Sequence, residues 1–371
     1  MSGTGSLAIA LALKKSTIVT LRANNCGKFF LPLVFGTRRL YITGTKTYRG
    51  VSMTKPFKKK AATRKEPIPE KLAGQTYLDP TYDTGFQELF DDKDAIRDFL
   101  EGLLNLRGKD KIKNLEYTFN YATRFRVPQS RKIIMDAFVT TDSGRMLDIE
   151  MQRAEHSFFI DRTVLYKAFL VIKGKQKMEE SNEFKKMTRE EKEYRRYELP
   201  EAISIWICNF DMPEFCGDYI DEWAIYSRNS IQHGKAEPVF FKNRYIMVSL
   251  QNFNKNAHEV KSVTDAWIFL IKNAGSEKDI PDFGSDIVRE AIERIRVDNL
   301  DDETLKTVER EMIAQEEIDC RLAGAKIDTR REMVTAMLSE GDSVEKVVRI
   351  SKLSESEVLA IKANLAMQAA K

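Results

Sequence analysis

The sequence predicts an α/β domain in which helices flank a mixed central sheet. The expected order is helix, hairpin, helix, strands, with a basic leader in front and a helical tail behind. Three observations predict it. The chain has 371 residues, 42% of them hydrophobic, with 21 Phe and 12 Tyr; that is apolar mass for one large domain with appendages, or for two domains. The stretch Met146-Leu-Asp-Ile-Glu-Met-Gln152 alternates strictly between apolar and polar residues, which is the period of a strand. On both sides of it apolar residues recur at helical spacing.

The leader comes first. Residues 1–65 hold 14 Lys and Arg and no Asp or Glu. Their apolar run, Leu7 to Leu13, precedes the positive charges, the reverse of a secretory signal. Such an acid-free segment reads either as an organellar transit peptide, for a mitochondrion or plastid, or as an extended gene start with translation beginning at Met53. A nuclear address in Lys58–Lys65 is a third reading. Residues 1–76 are therefore set apart from the fold.

Tyr77 to Asp83 reads as a turn, with Thr81 or Asp83 capping a helix that runs to about Leu104. Phe86, Leu89, Phe90, Ile96, Phe99, Leu100 and Leu103 form its apolar stripe. A strand is expected near Leu115–Phe119. Lys132–Thr140 is β-rich, Thr141-Asp-Ser-Gly-Arg145 is turn chemistry, and with 146–152 they make a β-hairpin. His156–Lys173 reads as a helix whose buried side is Phe159, Val164, Leu165, Ala168, Phe169 and Ile172. Lys175–Glu198, with 15 of 24 residues charged, reads as a solvated helix or a flexible excursion. Further strands are expected at 203–210, 219–226 and 239–250, and helices from about Ser262 to the end. The expected domains are the leader 1–76, a catalytic-type domain 77–275 containing the charged insert 175–198, and a helical appendage 276–371.

Composition excludes several classes. No apolar run reaches the 18 residues of a membrane span. Cys26, Cys208, Cys216 and Cys320 lack C-x-x-C spacing, which argues against structural zinc or a disulfide framework and fits a reducing compartment, cytoplasm or nucleus. His156, His233 and His258 have no ligand spacing, so a metalloprotease is out. There is no P-loop and no G-x-S-x-G. Gly3-Thr-Gly5 lacks the strand that a dinucleotide site needs, so no nucleotide cofactor is expected. Trp206, Trp223 and Trp267 sit in apolar patterns and read as core. Beyond residue 65 the body carries 46 Lys and Arg against 56 Asp and Glu, a net −10, so any nucleic-acid contact is local rather than global.

The chemistry concentrates in the hairpin. Asp148, Glu150 and Gln152 share one face of their strand, and Leu147, Ile149 and Met151 share the other. A turn centred near Ser143 sets Asp136 opposite or nearly opposite Glu150, with Cβ atoms roughly 4.5–5.5 Å apart. Two such acids repel, which is unfavourable in a purely structural sheet. A Mg²⁺ or Mn²⁺ ion removes the conflict, taking oxygen ligands and keeping water and a substrate phosphate for the rest of its shell. Gln152 is placed to orient water or phosphate. The competing reading is a half-exposed hairpin with a wet polar face.

Asp136, a Gly-containing turn and Asp148-Ile-Glu-Met-Gln152 resemble the core of the PD-(D/E)XK nuclease superfamily. More narrowly they resemble the Rpn-type recombination-promoting nucleases, also described as PD-(D/E)XK family transposases, in which Gln stands where the wider superfamily has Lys. Asp83-Thr-Gly-Phe86 resembles the opening of that family's first helix, and Arg162 and Tyr166 resemble its Arg and Tyr on the helix after the Gln. Met337–Glu345 and Leu353–Val358 resemble its C-terminal helical appendage. The likeness covers about residues 77–362. It departs at Gln87, where the family usually has Lys, and in the length of the 175–198 insert.

The resemblance implies a restriction-endonuclease-like core and a Mg²⁺-dependent deoxyribonuclease. Asp136 and Glu150 would hold the metal and Gln152 would complete the catalytic set. Asp83, Asp148, Arg162 and Tyr166 are accessory candidates, DNA is the expected partner, a homo-oligomer is an open option, and no membrane partner is expected. The alternative is a catalytically inactive nuclease fold that binds nucleic acid or protein. A transposase in the strict sense needs strand-transfer chemistry as well. At the C-terminus, Ser354-Glu-Ser-Glu357 has capping-box spacing after Val344–Ile350, suggesting two short helices at an angle. Only Lys362 is basic on the second, which favours a packing or oligomerisation element over a DNA-reading helix-turn-helix.

Overall fold

The structure, a computed structural model, describes residues 66–123, 133–212, 217–235 and 237–369, with the backbone of two short strands nearer the start. The chain forms two compact units, residues 1–58 and 59–371. The first holds β1 (Pro32–Phe35) and β2 (Arg38–Tyr41), an antiparallel pair with Pro32 opposite Tyr41. The targeting readings, the start at Met53, Cys26 and Cys216 lie outside the described residues. Residues 66–76, read as the end of the leader, belong to the second unit: Leu72 is fully buried in its core, and Lys306 Nζ lies 2.6 Å from Glu66 Oε2.

The helix expected to run to Leu104 is two helices, α1 (Asp83–Phe90) and α2 (Lys93–Leu103). The break falls at Asp91-Asp92. Asp92 leaves helical geometry and its carboxylate accepts the Asp94 and Ala95 N–H groups, capping α2. The apolar stripe across both helices is buried as read.

The second unit is built on a six-stranded mixed sheet of order β3-β4-β5-β6-β8-β7. Its strands are β3 (Leu115–Thr123), β4 (Ile133–Thr141), β5 (Met146–Gln152), β6 (Ala202–Cys208), β7 (Ile220–Tyr226) and β8 (Pro238–Ser249). Pairs β3/β4, β4/β5 and β7/β8 are antiparallel; β5/β6 and β6/β8 are parallel. Helix α3 (Phe159–Glu180) makes the crossover from β5 to β6. The charged insert continues α3 into two short helices with exposed flanks, α4 (Asn182–Lys186) and α5 (Arg189–Tyr194), and α6 (Arg228–Gln232) joins β7 to β8.

One face of the sheet packs against α1, α2, α7 (Val263–Asn273), α8 (Asp286–Arg294) and the start of α9 (Asp302–Ser339). The other face is covered by α3, where Phe159, Tyr166 and Leu170 meet Met146, Trp206 and Met247. Burial on both faces explains the nearly continuous apolar run Ala202-Ile-Ser-Ile-Trp-Ile-Cys208. Trp206 and Trp267 are core residues, as read.

The half-exposed hairpin reading fails here. β5 is an interior strand, and Asp148 and Glu150 are buried beneath α3. The expected buried side of α3 also fails in part. Val164, Leu165, Ala168 and Ile172 face outward, while Phe159, Thr163, Tyr166, Lys167, Leu170 and Gly174 face the sheet. The inward side is the one whose polar groups find partners: Lys167 Nζ donates to Ala202 O at 2.6 Å and to Arg244 O, and Tyr166 Oη donates to Ile134 O at 3.1 Å. Gly174 is required by close packing, since a Cβ there would lie 2.6 Å from Pro200 Cγ.

The segment expected as an appendage from residue 276 divides in two. Val288, Ala291, Ile292, Ile295, Val297, Leu300, Leu305 and Val308 complete the main core, so a boundary at 275 would cut through it. Helix α9 then runs on for 38 residues in all, about 57 Å at 1.5 Å per residue. Its far end packs with α10 (Val344–Ser351) and α11 (Glu355–Ala369) around Val334, Val347 and Val358. Ser354 and Glu357 exchange capping hydrogen bonds at the start of α11, as their spacing suggested. Among the described residues no helix is long and apolar enough to cross a membrane.

Candidate active site

The site grows from a defect in the sheet. Tyr117 and Phe119 of β3 pack on the helical core, yet Tyr121, two residues on, packs under α3. On β4, Ala137 and Val139 face the helical core while Ile133 and Met135 face α3. Regular alternation would keep each set on one face, so both strands swivel between the pairs Phe119↔Ala137 and Tyr121↔Met135. Asn120 and Asp136 occupy the swivel, and Asn120 takes φ 51°, a conformation Asn tolerates better than most residues.

The β4/β5 ladder stops at the same place, after Ala137↔Ile149. Beyond it the acids take over the backbone groups. Asp136 N–H donates to Glu150 Oε1 at 3.1 Å, and Met151 N–H donates to Asp136 Oδ2 at 2.8 Å. One step beyond the last ladder pair, Ala137↔Ile149, the Asp136 N–H bond to Glu150 Oε1 keeps the two residues side by side. Asp136, Asp83, Phe86, Gln87, Asn120 and Met151 line a small cleft between the hairpin and the start of α1.

Behind Glu150 lies a polar cluster. Ser204 Oγ donates to Asp148 Oδ2 at 3.1 Å and accepts from Trp206 Nε1 at 2.9 Å, while Asp148 Oδ1 is buried without a protein donor. Arg162 of α3 reaches Gln152 Oε1 at 2.7 Å, Glu150 Oε2 at 3.4 Å and Tyr166 Oη at 3.2 Å. Gln152 Nε2 turns away to Ala154 O at 3.0 Å.

The electrostatics follow from burial. Asp136 is pushed up to about 6 by desolvation, with the nearby Asp83 charge adding and the Met151 N–H and Arg162 opposing. Asp148 is pushed up to about 7, again chiefly by burial, against the hydrogen bonds from Glu150 and Ser204. Glu150 is raised well above the carboxylate range by burial and then by the charges of Asp148 and Asp136. Lys167, buried beside Asp148, is lowered to about 7 by desolvation.

Among the described residues, no group of three or more His, Cys, Asp or Glu stands preassembled as a metal site. The donor chemistry nonetheless fits a hard divalent cation. Asp136 and Glu150 each spend one carboxyl oxygen on a main-chain N–H, Asp148 Oδ1 has no donor, and the charges of Asp148 and Asp136 add to the burial that raises Glu150.

The structure thus brings together Asp136, Asp148, Glu150, Gln152, Arg162 and Tyr166, with Asp83 at the rim of the cleft. Gln87, in place of the expected lysine, lines the same cleft. Sequence reasoning missed Asn120, whose signal was one Asn inside a β-rich run. It also missed Glu311 of α9, which caps α1 by accepting Thr84 N–H at 3.2 Å and the Thr84 hydroxyl at 2.6 Å. A contact across 227 residues leaves no local trace. Gly85 has a packing reason: a Cβ there would lie 2.2 Å from Asp79 O. His156, His233 and His258 are exposed.

Comparison with protein families matches residues 80–322 to the PD-(D/E)XK nuclease family transposase. No curated protein and no solved structure gives a significant match.

Proposed function

The chain belongs to the PD-(D/E)XK nuclease family transposases, and from that premise we propose that it is a Mg²⁺-dependent endonuclease, also competent with Mn²⁺, hydrolysing DNA phosphodiester bonds. The observation that carries the reading is the acid trio Asp136, Asp148 and Glu150, the first half-buried at the break in the sheet and the other two buried beside it, all held at raised proton affinity. A purely structural sheet gains nothing from such a cluster.

Asp136 and Glu150 would hold the cation. When bound, it supplies the charge that acidifies a water molecule and offsets the negative charge growing on the phosphate. The cross-strand N–H bonds fix one oxygen of each carboxyl and so aim the other. Asp148, anchored by Ser204, adds a third carboxyl whose charge, like that of Glu150, a bound cation would stabilise against burial. Asp83 and Gln87 flank the cleft mouth, where the DNA backbone would approach.

The test is plasmid nicking with and without Mg²⁺, comparing wild type with Asp136→Ala and Glu150→Ala. The expected result is metal-dependent nicking by wild type and its loss in both variants. Equal activity in all three removes the site assignment. Inactivity in all three favours the reading as a nuclease fold that binds nucleic acid without cutting it.

A further inference from the structure

Gln152 cannot supply positive charge, and its amide is engaged at both ends. Its oxygen accepts from Arg162 and its nitrogen donates to Ala154 O. That leaves at most one amide N–H, and no charge, for a substrate. Yet beside three carboxylates a fixed side-chain cation would add to the bound metal in offsetting the charge that develops on the phosphate oxygens.

Among the described residues, three cationic side chains approach this end of the hairpin. Arg153 is taken up elsewhere: it bonds Thr81, lies 3.6 Å from Asp79 Oδ2 and stacks over the Tyr82 ring at 3.8 Å. Lys167 is buried, with its ammonium on Ala202 O and Arg244 O. Arg162 differs. Its side chain keeps 34% of its surface exposed. Its three protein contacts, to Gln152, Glu150 and Tyr166, leave two of the five guanidinium N–H groups for a ligand. The rings of Tyr166 and Trp206 lie 5.0 and 5.6 Å from its carbon and hold the plane in place.

We infer that Arg162 supplies the positive charge to the scissile phosphate, and that Gln152 is a positioning residue that acts through Arg162. This rests on the nuclease reading above. The charge comes from α3 rather than from the strand, and the Gln at the end of β5 serves as its bracket. Geometry supports the division of roles: the Gln152–Arg162 bond, at 2.7 Å, is the shortest the guanidinium makes, while the Glu150 contact is 3.4 Å.

The experiment is a double-mutant cycle on the full chain. Nicking is measured with Mg²⁺, and binding of a fluorescein-labelled duplex by anisotropy with Ca²⁺. Arg162→Ala should lower kcat about 100-fold and Gln152→Ala about 10-fold, with KM changed less than about threefold, and the double variant should be no slower than Arg162→Ala alone. Arg162→Lys should keep more activity than Arg162→Ala, because charge survives without the fork. Gln152→Lys placed in the Arg162→Ala background should recover activity at least tenfold. Multiplicative losses in the double variant, or no recovery from the introduced lysine, overturn the inference. If wild type does not nick at all, the nuclease reading fails and the binding arm decides: Arg162→Ala and the double variant weakening the duplex equally sustains the coupling, and unequal or absent effects overturn it.

Discussion

Replacing Asp136 with Asn removes a charge that the fold holds at a disadvantage while keeping an oxygen to accept Met151 N–H. The carboxyl is raised from 3.8 to about 6. At about 1.4 kcal/mol per pKa unit, ionising it inside the protein costs up to about 3 kcal/mol. Asp136 is only half-buried, so solvent screening brings the expected gain to about 1–3 kcal/mol. The sign follows from linkage. Between pH 4 and 6 the folded state binds more protons than the unfolded state, so stability falls as pH rises through that window. The penalty is complete above it and absent below it. Urea unfolding in EDTA should therefore show Asp136→Asn more stable than wild type at pH 8, and indistinguishable from it at pH 4. Saturating Mg²⁺ should reverse the order at pH 8, because a bound ion stabilises only the protein that retains its ligands. A variant less stable than wild type at pH 8 without metal would refute the claim that this carboxylate is electrostatically strained.

Gly85→Ala should destabilise by about 2–4 kcal/mol, read as a fall in Tm, because the new Cβ meets the Asp79 carbonyl oxygen at 2.2 Å; a fall under 2 °C would mean that the turn before α1 yields freely. Glu311→Ala removes the external cap of α1 and should cost about 1 kcal/mol in denaturant unfolding. It should also reduce nicking more than it reduces helix content, since α1 carries Asp83 and Gln87 to the cleft, and unchanged nicking would contradict that link. Ser204→Ala leaves Asp148 Oδ2 and Trp206 Nε1 without their shared hydroxyl, at about 1–3 kcal/mol; equal stability with wild type would show that another donor takes its place.

Local pattern carried much of this architecture. Strict alternation in 146–152 and turn chemistry at 141–145 are properties of adjacent residues, so the hairpin and the nearness of Asp136 to Glu150 were legible. Burial of Asp148 and Glu150 was not, because it depends on α3 returning over the same strand. The inward face of α3 was misread for a related reason. Helix α3 carries two stripes, and the apolar one, Val164, Leu165 and Ile172, looks like a core by composition. The polar one wins because sheet carbonyls and buried acids wait for Arg162, Tyr166 and Lys167. The break at Asp91-Asp92 was readable in principle from the capping preference of Asp, but the unbroken apolar stripe concealed it. The swivel at Asn120 and the Glu311 cap belong to tertiary structure alone.

Isothermal titration of Mn²⁺ into the metal-free protein at pH 8 tests the central claim most directly. The account predicts cation binding that is lost in Asp136→Asn and in Glu150→Gln, each of which keeps its shape and gives up its charge. Binding of undiminished affinity in both variants, or no binding to wild type, would contradict it.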